Sequence, residues 1–379
     1  MIINSFFFSC LNFFAIFVFS VDFMYNYNMN KTTFDFSDIL NKIEAALCTT
    51  LPESANKDWT HKSFGDLDKN ITSSHIQNLI EPNQKLMELG GKRWRPLLLV
   101  LCYQMAKKVD ETNALSEEQV YSLTPLVEFV HTASLIHDDI EDNSDLRRGK
   151  PAAYITYGMD TALNAGSWLY FEAPVCINSL EISVEKKLQL YQVYTNELRK
   201  LHLGQAMDIF WHRNPEIFPS DDEYLAMVKS KTGTLASLAA IIGCTAGGFS
   251  IDEAQKFGEI AANIGIGFQI IDDVINLTTG NVGKKRGDDI VERKKSLPVL
   301  IHAQRFPEDK KLIAKYMDDA SKNGIDCESV EACIQLLQKS ECINDAAKLG
   351  TKLIKDNCLL FNSDSITQLF LSMIPEAFK

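Results

Sequence analysis

Two apolar segments that each end in adjacent aspartates constrain the fold of this chain more than any other feature of its sequence. The first ends in Asp138 and Asp139, with Asp142 close behind, and the second ends in Asp272 and Asp273. On an α-helix Asp138 and Asp142 share one face, and Asp139 lies about 100° round the helix. Burying such carboxylates without compensating charge costs several kcal/mol per ion. The pattern therefore indicates two helices whose acidic ends face each other across bound cations.

Basic residues follow both acidic segments. Arg147 and Arg148 come soon after the first, and Lys284 and Lys285 follow the second, where spacing does not decide which lysine takes part. Oxygen-only ligands suit a hard divalent ion, Mg²⁺ before Zn²⁺. Arginine offers a forked set of donors that fits phosphate oxygens. Together these residues predict a diphosphate site, against the alternative of solvated acidic helix ends followed by basic turns.

The composition excludes several classes of protein. The 379 residues are 46% hydrophobic and 23% charged, which is enough apolar material for a large core. A net charge of −12 argues against nucleic-acid binding through a broad basic surface. The nine cysteines are odd in number and form no CxxC pair, which favours a reducing compartment over a disulfide framework or a zinc site. A cytoplasmic protein is the resulting prediction.

The first 24 residues differ from the rest of the chain. They are rich in phenylalanine, carry no charge before Asp22, and have about the minimum length of a membrane-spanning helix. No lysine or arginine precedes Lys31, so the basic start of a signal peptide is missing. The segment is a membrane-associated signal anchor, a targeting remnant, or an upstream extension before a start at Met24 or Met29; we favour the last two. We interpret residues 1–35 as an apolar extension and linker, and retention of residues 1–24 would make the protein membrane-anchored or organellar.

From residue 36 onward the apolar residues recur at helical spacing, and alternation typical of strands is nearly absent. No linker rich in Gly, Pro or Ser divides this part, so we predict a single all-α domain over residues 36–379. The predicted helices span residues 76–89 with a break or kink at Pro82, 97–106, 117–142, 161–173, 184–210, 224–243 and 251–277, with a further series after Pro298.

Several basic residues lie near the predicted helix starts. Lys92 and Arg95 flank the start of the helix over 97–106 and make a plausible anion site, or only a basic turn. Lys231 lies at the edge of an apolar helix, where a surface lysine is the simpler interpretation. Lys294 stands in a charged run that is solvated by default. Gly204 interrupts an apolar helix. Close helix packing and a functional role explain this glycine about equally well.

Taken together, these motifs resemble those of the trans-isoprenyl (polyprenyl) diphosphate synthases, of the geranylgeranyl or longer-chain kind. The resemblance is strong over about residues 80–300 and rests on pattern alone in the C-terminal helices. The first acidic motif is a complete DDxxD, and the other matching residues are Gly91, Lys92, Arg95 and Pro96 for GK-x-x-RP, Lys231 and Thr232 for the K-T pair, and Phe268 and Gln269 before the second acidic motif.

The resemblance implies an isoprenoid-synthase-type helical bundle around a central cavity, three Mg²⁺ ions and a homodimer. It also implies a role for each matching residue. The metal ligands would be Asp138, Asp142 and Asp272, supported by Asp139, Asp273 and Asn276. The allylic diphosphate would be held by Arg147, Lys231, Thr232, Gln269 and Lys294, of which Lys231 would also be catalytic. Isopentenyl diphosphate would be held by Lys92, Arg95, His131 and Arg148.

The implied reaction joins isopentenyl diphosphate to an allylic prenyl diphosphate and gives an all-trans product. Ala133 and Ser134 are small where aromatic residues of this family stop the product at fifteen carbons, so we predict C20 or longer. Tyr170, Phe171 and His202 are candidates for a deeper floor of the cavity.

The sequence departs from the family in two places. Asn276 replaces the last aspartate of the second motif, and Glu292-Arg293-Lys294 replaces E-G-K. Farnesyl-type specificity is disfavoured, and two rival functions stay open. A class I terpene synthase would carry N-D-x-x-S-x-x-x-E as its second motif, which the sequence from Asp272 to Gly280 does not match. A non-catalytic partner subunit would tend to have lost one of the acidic motifs.

Overall fold

Helices make up nearly all of the regular structure. The computed structural model describes residues 34–109, 111–280 and 285–378. In the N-terminal half the helices are α1 (Ser37–Thr50), α2 (Lys57–Phe64), α3 (Ser73–Glu88), α4 (Trp94–Lys107), α5 (Glu117–Ser122), α6 (Pro125–Asp142), α7 (Ala153–Tyr157), α8 (Met159–Glu172), α9 (Val175–Asn178) and α10 (Val184–Arg213).

The second half continues the bundle. Its helices are α11 (Asp221–Val228), a π-helical turn (Lys229–Gly233), α12 (Thr234–Ala246), α13 (Ile251–Thr278), α14 (Asp288–Val291), α15 (Leu297–Arg305), α16 (Lys310–Asn323), α17 (Glu328–Lys339), α18 (Cys342–Cys358) and α19 (Asp364–Ser372). The strands among the described residues are one short antiparallel pair, Leu146–Arg147 with Lys150–Pro151. The prediction of an all-α fold is confirmed.

Residues 36–379 group as one compact unit by their contacts; the single domain over these residues stays a prediction. The apolar helices α4, α12 and α13 lie at its centre, and α6 packs beside them. Helix α13 begins at a capping box, in which the Ser250 hydroxyl accepts a hydrogen bond from the Glu253 amide while Glu253 bonds back to the Ser250 amide. This cap fixes the start of a helix that carries the second acidic motif near its other end.

Two central segments, 221–246 and 251–278, are long and apolar enough to cross a membrane by length and composition. In each, 67% of the most apolar window is buried inside the protein. Their hydrophobicity is therefore explained by the core of the bundle. Residues 1–24, for which a signal anchor was one of three alternatives, lie outside the described residues.

Three predicted helix boundaries are wrong. The helix expected over 117–142 is two helices, because Pro125 starts a new one at its first turn. A break or kink was expected at Pro82; the break does not occur, because α3 runs through that residue, and the kink stays a prediction. The helix expected over 224–243 contains the π-helical turn at Lys229–Gly233. None of the three changes the fold class.

Glu172 on α8 is a buried carboxyl group. It accepts a hydrogen bond from the Ser63 hydroxyl of α2 at 2.5 Å. Burial raises the pKa of Glu172 from 4.5 to about 7. Since the folded-state pKa is the higher one, the protonated form favours folding. This stabilisation is complete below about pH 4.5 and is lost as the pH rises through 7.

We expect Glu172→Gln to raise the free energy of unfolding at pH 8 by up to about 3 kcal/mol, since the amide keeps the acceptor and removes the charge. At pH 5 the gain should shrink to under about 1 kcal/mol. Denaturant unfolding at both pH values measures it, with the exposed Glu118→Gln as the matched control. Equal gains at the two pH values would contradict this prediction.

Candidate active site

The acidic ends of α6 and α13 meet at one cavity of about 350 Å³. Asp138 from α6 and Asp272 from α13 both line it, as the sequence pattern predicted. Among the described residues, the wall carries equal numbers of acidic and basic side chains. The acidic ones are Asp138, Asp208, Asp272, Asp273 and Asp289, and the basic ones are Arg147, Arg148, Lys231, Lys294 and Lys295.

Asp138 is surrounded by donors from three other segments. Lys231 Nζ lies 3.3 Å from Asp138 Oδ1 and 2.7 Å from Asp208 Oδ2. Gln205 Nε2 donates to Asp138 Oδ1 at 3.0 Å. Burial alone would raise the pKa of Asp138, but Lys231, Lys294 and Arg147 outweigh it and hold that pKa well below its ordinary value. Asp138 is therefore an anion at neutral pH.

The other two carboxylates of the first motif have separate basic partners. Asp139 is 1% exposed and accepts a hydrogen bond from Arg147 Nε at 2.8 Å. Asp142 lies 2.9 Å from Lys294 Nζ, which also pairs with Glu292. Burial raises the pKa of Asp142 to about 6, against the effect of Lys294. Three residues predicted to hold a diphosphate, Arg147, Lys231 and Lys294, thus lie directly at the first motif.

The two aspartates of the second motif differ in their surroundings. Asp272 is exposed to the cavity, whereas Asp273 is buried. Asp273 accepts hydrogen bonds from the Tyr224 hydroxyl at 2.6 Å, from the Leu297 amide at 3.1 Å and from Gln269 Nε2 at 3.0 Å. Burial raises the pKa of Asp273 to about 6, although these donors act to lower it. Asp273 therefore ties α13 to α11 and to the start of α15.

Asn276, the departure in the second motif, holds the segment that follows it. Its side-chain oxygen accepts a hydrogen bond from the Asp289 amide at 3.3 Å, and its carbonyl accepts one from the Gly287 amide at 2.9 Å. These bonds bring Asp289 and Lys294 to the cavity wall. Lys285 instead pairs with Asp326 at 2.9 Å on the surface, and residue 284 lies outside the described residues.

The second departure also has a structural explanation. Arg293, at the position of the family's glycine, has φ +59°, in the left-handed region that favours glycine. Its guanidinium lies 2.7 Å from a carboxylate oxygen of Asp318 on α16. The ion pair offsets part of the backbone strain at Arg293, and the following residue, Lys294, still reaches the cavity.

A second basic group lies beside the first motif. His131 and Arg148 line the cavity, and Arg95 Nη1 lies 3.4 Å from His131 Nε2. Arg95 Nε is buried with no hydrogen-bond partner in the described parts of the chain. Burial, together with Arg95 and Arg148, lowers the pKa of His131 well below its ordinary value, so the ring is neutral. Lys92 is exposed in the segment just before α4, the helix that carries Arg95. This group can accept an anion of its own.

The π-helical turn positions Lys231 and Thr232. Helix α10 packs so closely on this turn that a Cβ on Gly204 would lie 2.3 Å from the Lys231 amide nitrogen. Thr232 Oγ1 donates to Gln269 Oε1 at 2.9 Å, which joins the K-T pair to the second motif. The close-packing interpretation of Gly204 accounts for this contact. A π-helical turn within an α-helix is frequent at functional sites.

None of the predicted chain-length residues is among the described residues that line the cavity. Ala133 is fully buried in the core, and the Ser134 hydroxyl donates to the His131 carbonyl of its own helix at 2.8 Å. Tyr170 is buried beside His202, with ring centroids 5.2 Å apart. Phe171 is 77% exposed, because consecutive helical residues point about 100° apart and Tyr170 takes the inward direction. Phe171 is therefore not a floor residue within this chain.

The donor set fits Mg²⁺. The anionic groups on the described wall are all carboxylates, and oxygen-only sites suit this ion. Within the described ranges, no three Asp, Glu, His or Cys side chains converge closely enough to hold an ion by themselves. The carboxylates of the first motif are paired instead with Lys231, Lys294 and Arg147. The carboxylates therefore suit Mg²⁺ ions whose coordination is completed by phosphate oxygens and water.

Several cavity or neighbouring residues were not assigned from the sequence, among them Gln205, Asp208, Tyr224 and Asp289. Gln205 and Asp208 interrupt an apolar helix, and that pattern could have indicated them. Tyr224 and Asp289 reach the site from distant segments, and spacing along the chain carries no information on such contacts.

Comparison with known proteins agrees with this geometry. A family model described as polyprenyl synthetase matches residues 76–337. A short chain isoprenyl diphosphate synthase of Methanocaldococcus jannaschii is 33% identical over 264 residues, 69% of this chain and 77% of that protein. A geranylgeranyl diphosphate synthase of Methanosarcina mazei is 32% identical over 292 residues, 76% of this chain and 85% of that protein.

A solved structure extends the likeness to the fold. The geranylgeranyl pyrophosphate synthetase of Pyrococcus horikoshii superposes with a TM-score of 0.72 at 27% identity, over 89% of this chain and 94% of that one. The region that the family model matches contains both acidic motifs and the basic residues between them. The chain therefore belongs to the polyprenyl synthetase family and has the helical bundle of the isoprenoid synthases, as its motifs predicted.

Proposed function

We propose that this chain is a Mg²⁺-dependent trans-prenyltransferase that condenses isopentenyl diphosphate with an allylic prenyl diphosphate, with geranylgeranyl diphosphate, C20, as the main product. The observation that carries the proposal is the presence of two cation groups at one cavity. Lys231, Lys294 and Arg147 lie at the first acidic motif, and Arg95 and Arg148 lie beside it. Two diphosphates can therefore be held side by side.

The first cation group would act on the allylic substrate. Arg147, Lys231 and Lys294 would stabilise the charge that develops on the leaving diphosphate, where fixed cations have their largest effect. Bound Mg²⁺, held by Asp138, Asp142 and Asp272, would supply further charge neutralisation on that diphosphate. The C1–O bond breaks, the diphosphate keeps the electron pair, and an allylic cation remains.

The second cation group would position the acceptor. Arg95, Arg148, Lys92 and the neutral His131 would hold isopentenyl diphosphate so that its double bond faces the allylic cation. A carbon–carbon bond forms, and the proton lost from the adjacent carbon goes to the departing diphosphate. No side chain of this chain has to act as a nucleophile. The protein supplies position, charge and exclusion of water.

The charge balance of the wall bears on how ligands bind. With equal numbers of acidic and basic side chains on the described part of the wall, a diphosphate alone or Mg²⁺ alone would leave excess charge in a partly enclosed space. Both together would restore the balance. Diphosphate binding should therefore depend strongly on Mg²⁺.

The proposed product length depends on a small residue of α6, Ser134. Ser134 lies one turn, about 6 Å, before Asp138 on that helix. A tail that leaves the diphosphate site along α6 would pass this turn. We expect Ser134→Phe to shift the main product from C20 to C15, while Ser134→Ala, the matched control, leaves it at C20. The alcohols obtained after dephosphorylation are sized by mass, and an unshifted product from Ser134→Phe would contradict the tail path.

We also propose a homodimer in the cytoplasm. Apolar side chains are exposed along α8 and α10, where a second copy would cover them; they are Leu163, Phe171, Leu188, Leu203 and Phe210. Eight cysteines of the described residues are free thiols, which fits a reducing compartment.

The test of the function is a product assay on the chain beginning at Met29. It contains Mg²⁺, isopentenyl diphosphate and, separately, C5, C10 and C15 allylic starters. A linear C20 alcohol is expected after dephosphorylation. Cyclic products formed without isopentenyl diphosphate would indicate a terpene synthase, and no turnover would indicate a partner subunit.

A further inference from the structure

Arg93, between the two cations Lys92 and Arg95, is turned away from the cavity. It has φ +47°, in the left-handed region, where a residue with a side chain is strained. Its side chain is almost fully buried, with 6% of the residue exposed. A strained backbone persists only where the surroundings impose it.

Three acceptors from three helices impose this conformation. Arg93 Nε donates to Glu44 Oε1 of α1 at 2.6 Å, Nη1 donates to Glu128 Oε1 of α6 at 2.7 Å, and Nη2 donates to the Met87 carbonyl of α3 at 2.8 Å. Hydrogen bonds between charged groups are the strong ones in proteins. Arg93 thus ties α1, α3 and α6 to the residue that precedes α4.

Glu128 is central to the electrostatics of this region. Its side chain is 3% exposed, and its charge also acts on Arg95 and Arg148. It makes its hydrogen bond to Arg93 and leaves the other two arginines directed toward His131 and the cavity. The negative charge therefore reduces the repulsion among three arginines without filling the anion site.

We propose that Arg93, held by Glu44 and Glu128, is a positioning residue that sets the backbone from which Lys92 and Arg95 reach isopentenyl diphosphate, so that helix α1 controls the affinity for this substrate. The inference rests on the proposed function. A change that removes the charge of either glutamate should weaken binding of isopentenyl diphosphate. The allylic cations Arg147, Lys231 and Lys294 lie on other segments and should be unaffected.

The test uses Glu128→Gln and Glu44→Gln, which keep the size of the side chain and remove its charge. We expect the KM for isopentenyl diphosphate to rise about tenfold or more in Glu128→Gln and about threefold in the half-exposed Glu44→Gln. The KM for the allylic starter and kcat should stay within about twofold. Asp38→Asn, an exposed carboxylate of α1 paired only with Lys42 in the described structure, is the matched control and should change neither KM.

Calorimetric titration of isopentenyl diphosphate in the presence of Mg²⁺ separates this inference from the proposed function, because it needs no turnover. Weaker binding by both glutamate variants supports the positioning role of Arg93 even where no product forms. Unchanged dissociation constants, a parallel rise in both KM values, or no binding by the unsubstituted chain would overturn it. Melting temperatures identify a variant that fails to fold. In that case Arg93→Lys provides the second test, because lysine keeps the positive charge but loses the forked set of donors. The same rise in the KM for isopentenyl diphosphate is expected.

Discussion

Asp138→Asn is expected to lower kcat about a thousandfold. Removing one preorganised charged group from such a site costs about 10² to 10³ in rate, and Asp138 has two functions here. It is a proposed metal ligand, and it orients Lys231 and Gln205 at the cavity. Asparagine keeps the shape and one acceptor but loses the charge.

The rate is measured at saturating substrates over a range of Mg²⁺ concentrations, and the concentration for half-maximal rate should also rise. Asp145→Asn, the same change at an exposed position of the following loop, is the matched control and should stay within about twofold of the unsubstituted rate. A loss in Asp138→Asn of less than about tenfold would contradict the assignment of this carboxylate to the reaction centre.

Gly204→Ala is expected to cause the second largest effect although residue 204 does not line the cavity. The added Cβ would lie 2.3 Å from the Lys231 amide nitrogen and 2.8 Å from the Ser230 carbonyl carbon, both backbone atoms. One of the two segments must move. A displacement of about 1 Å at a catalytic group costs about 10²-fold in rate, and overpacking costs about 1–3 kcal/mol of stability.

Steady-state kinetics and denaturant unfolding measure the two effects separately. Thr195→Ala, at an exposed position of α10, is the control for alanine in this helix. A Gly204→Ala variant with normal kcat would show that the π-helical turn tolerates displacement, and the proposed dependence of Lys231 on this contact would be wrong.

The fold class and the acidic motifs could be predicted because they depend on short-range patterns. Helical spacing of apolar residues identifies the helices, and Asp138 and Asp272 end two of them in the same way. Both do line one cavity. The motifs also predicted the family, which the comparisons confirmed.

Contacts between distant segments could not be predicted. Asp273 was expected to support a metal ion, and its three donors come partly from Tyr224 and Leu297, which lie far from it in sequence. Asn276 was also expected to support a metal ion, and its side-chain oxygen accepts a hydrogen bond from the Asp289 amide. Phe171 was placed beside Tyr170 by adjacency alone, although neighbouring helical residues point in different directions.

Local helix geometry set a further limit. The π-helical turn at Lys229–Gly233 follows an apolar sequence that is typical of a continuous helix. The turn packs closely against Gly204 of α10, on a different helix. Arg93 and Arg293 likewise take left-handed conformations because of ion pairs with Glu44, Glu128 and Asp318.

The stoichiometry of pyrophosphate release tests the central claim most directly. The chain is incubated with Mg²⁺ and a C15 allylic diphosphate, with and without isopentenyl diphosphate, and the pyrophosphate released is counted against the isopentenyl diphosphate consumed. We predict one pyrophosphate for each isopentenyl unit incorporated and almost none when that substrate is omitted. Pyrophosphate release at an equal rate without isopentenyl diphosphate would contradict the account, because the second cation group at Arg95 and Arg148 would then have no part in the reaction.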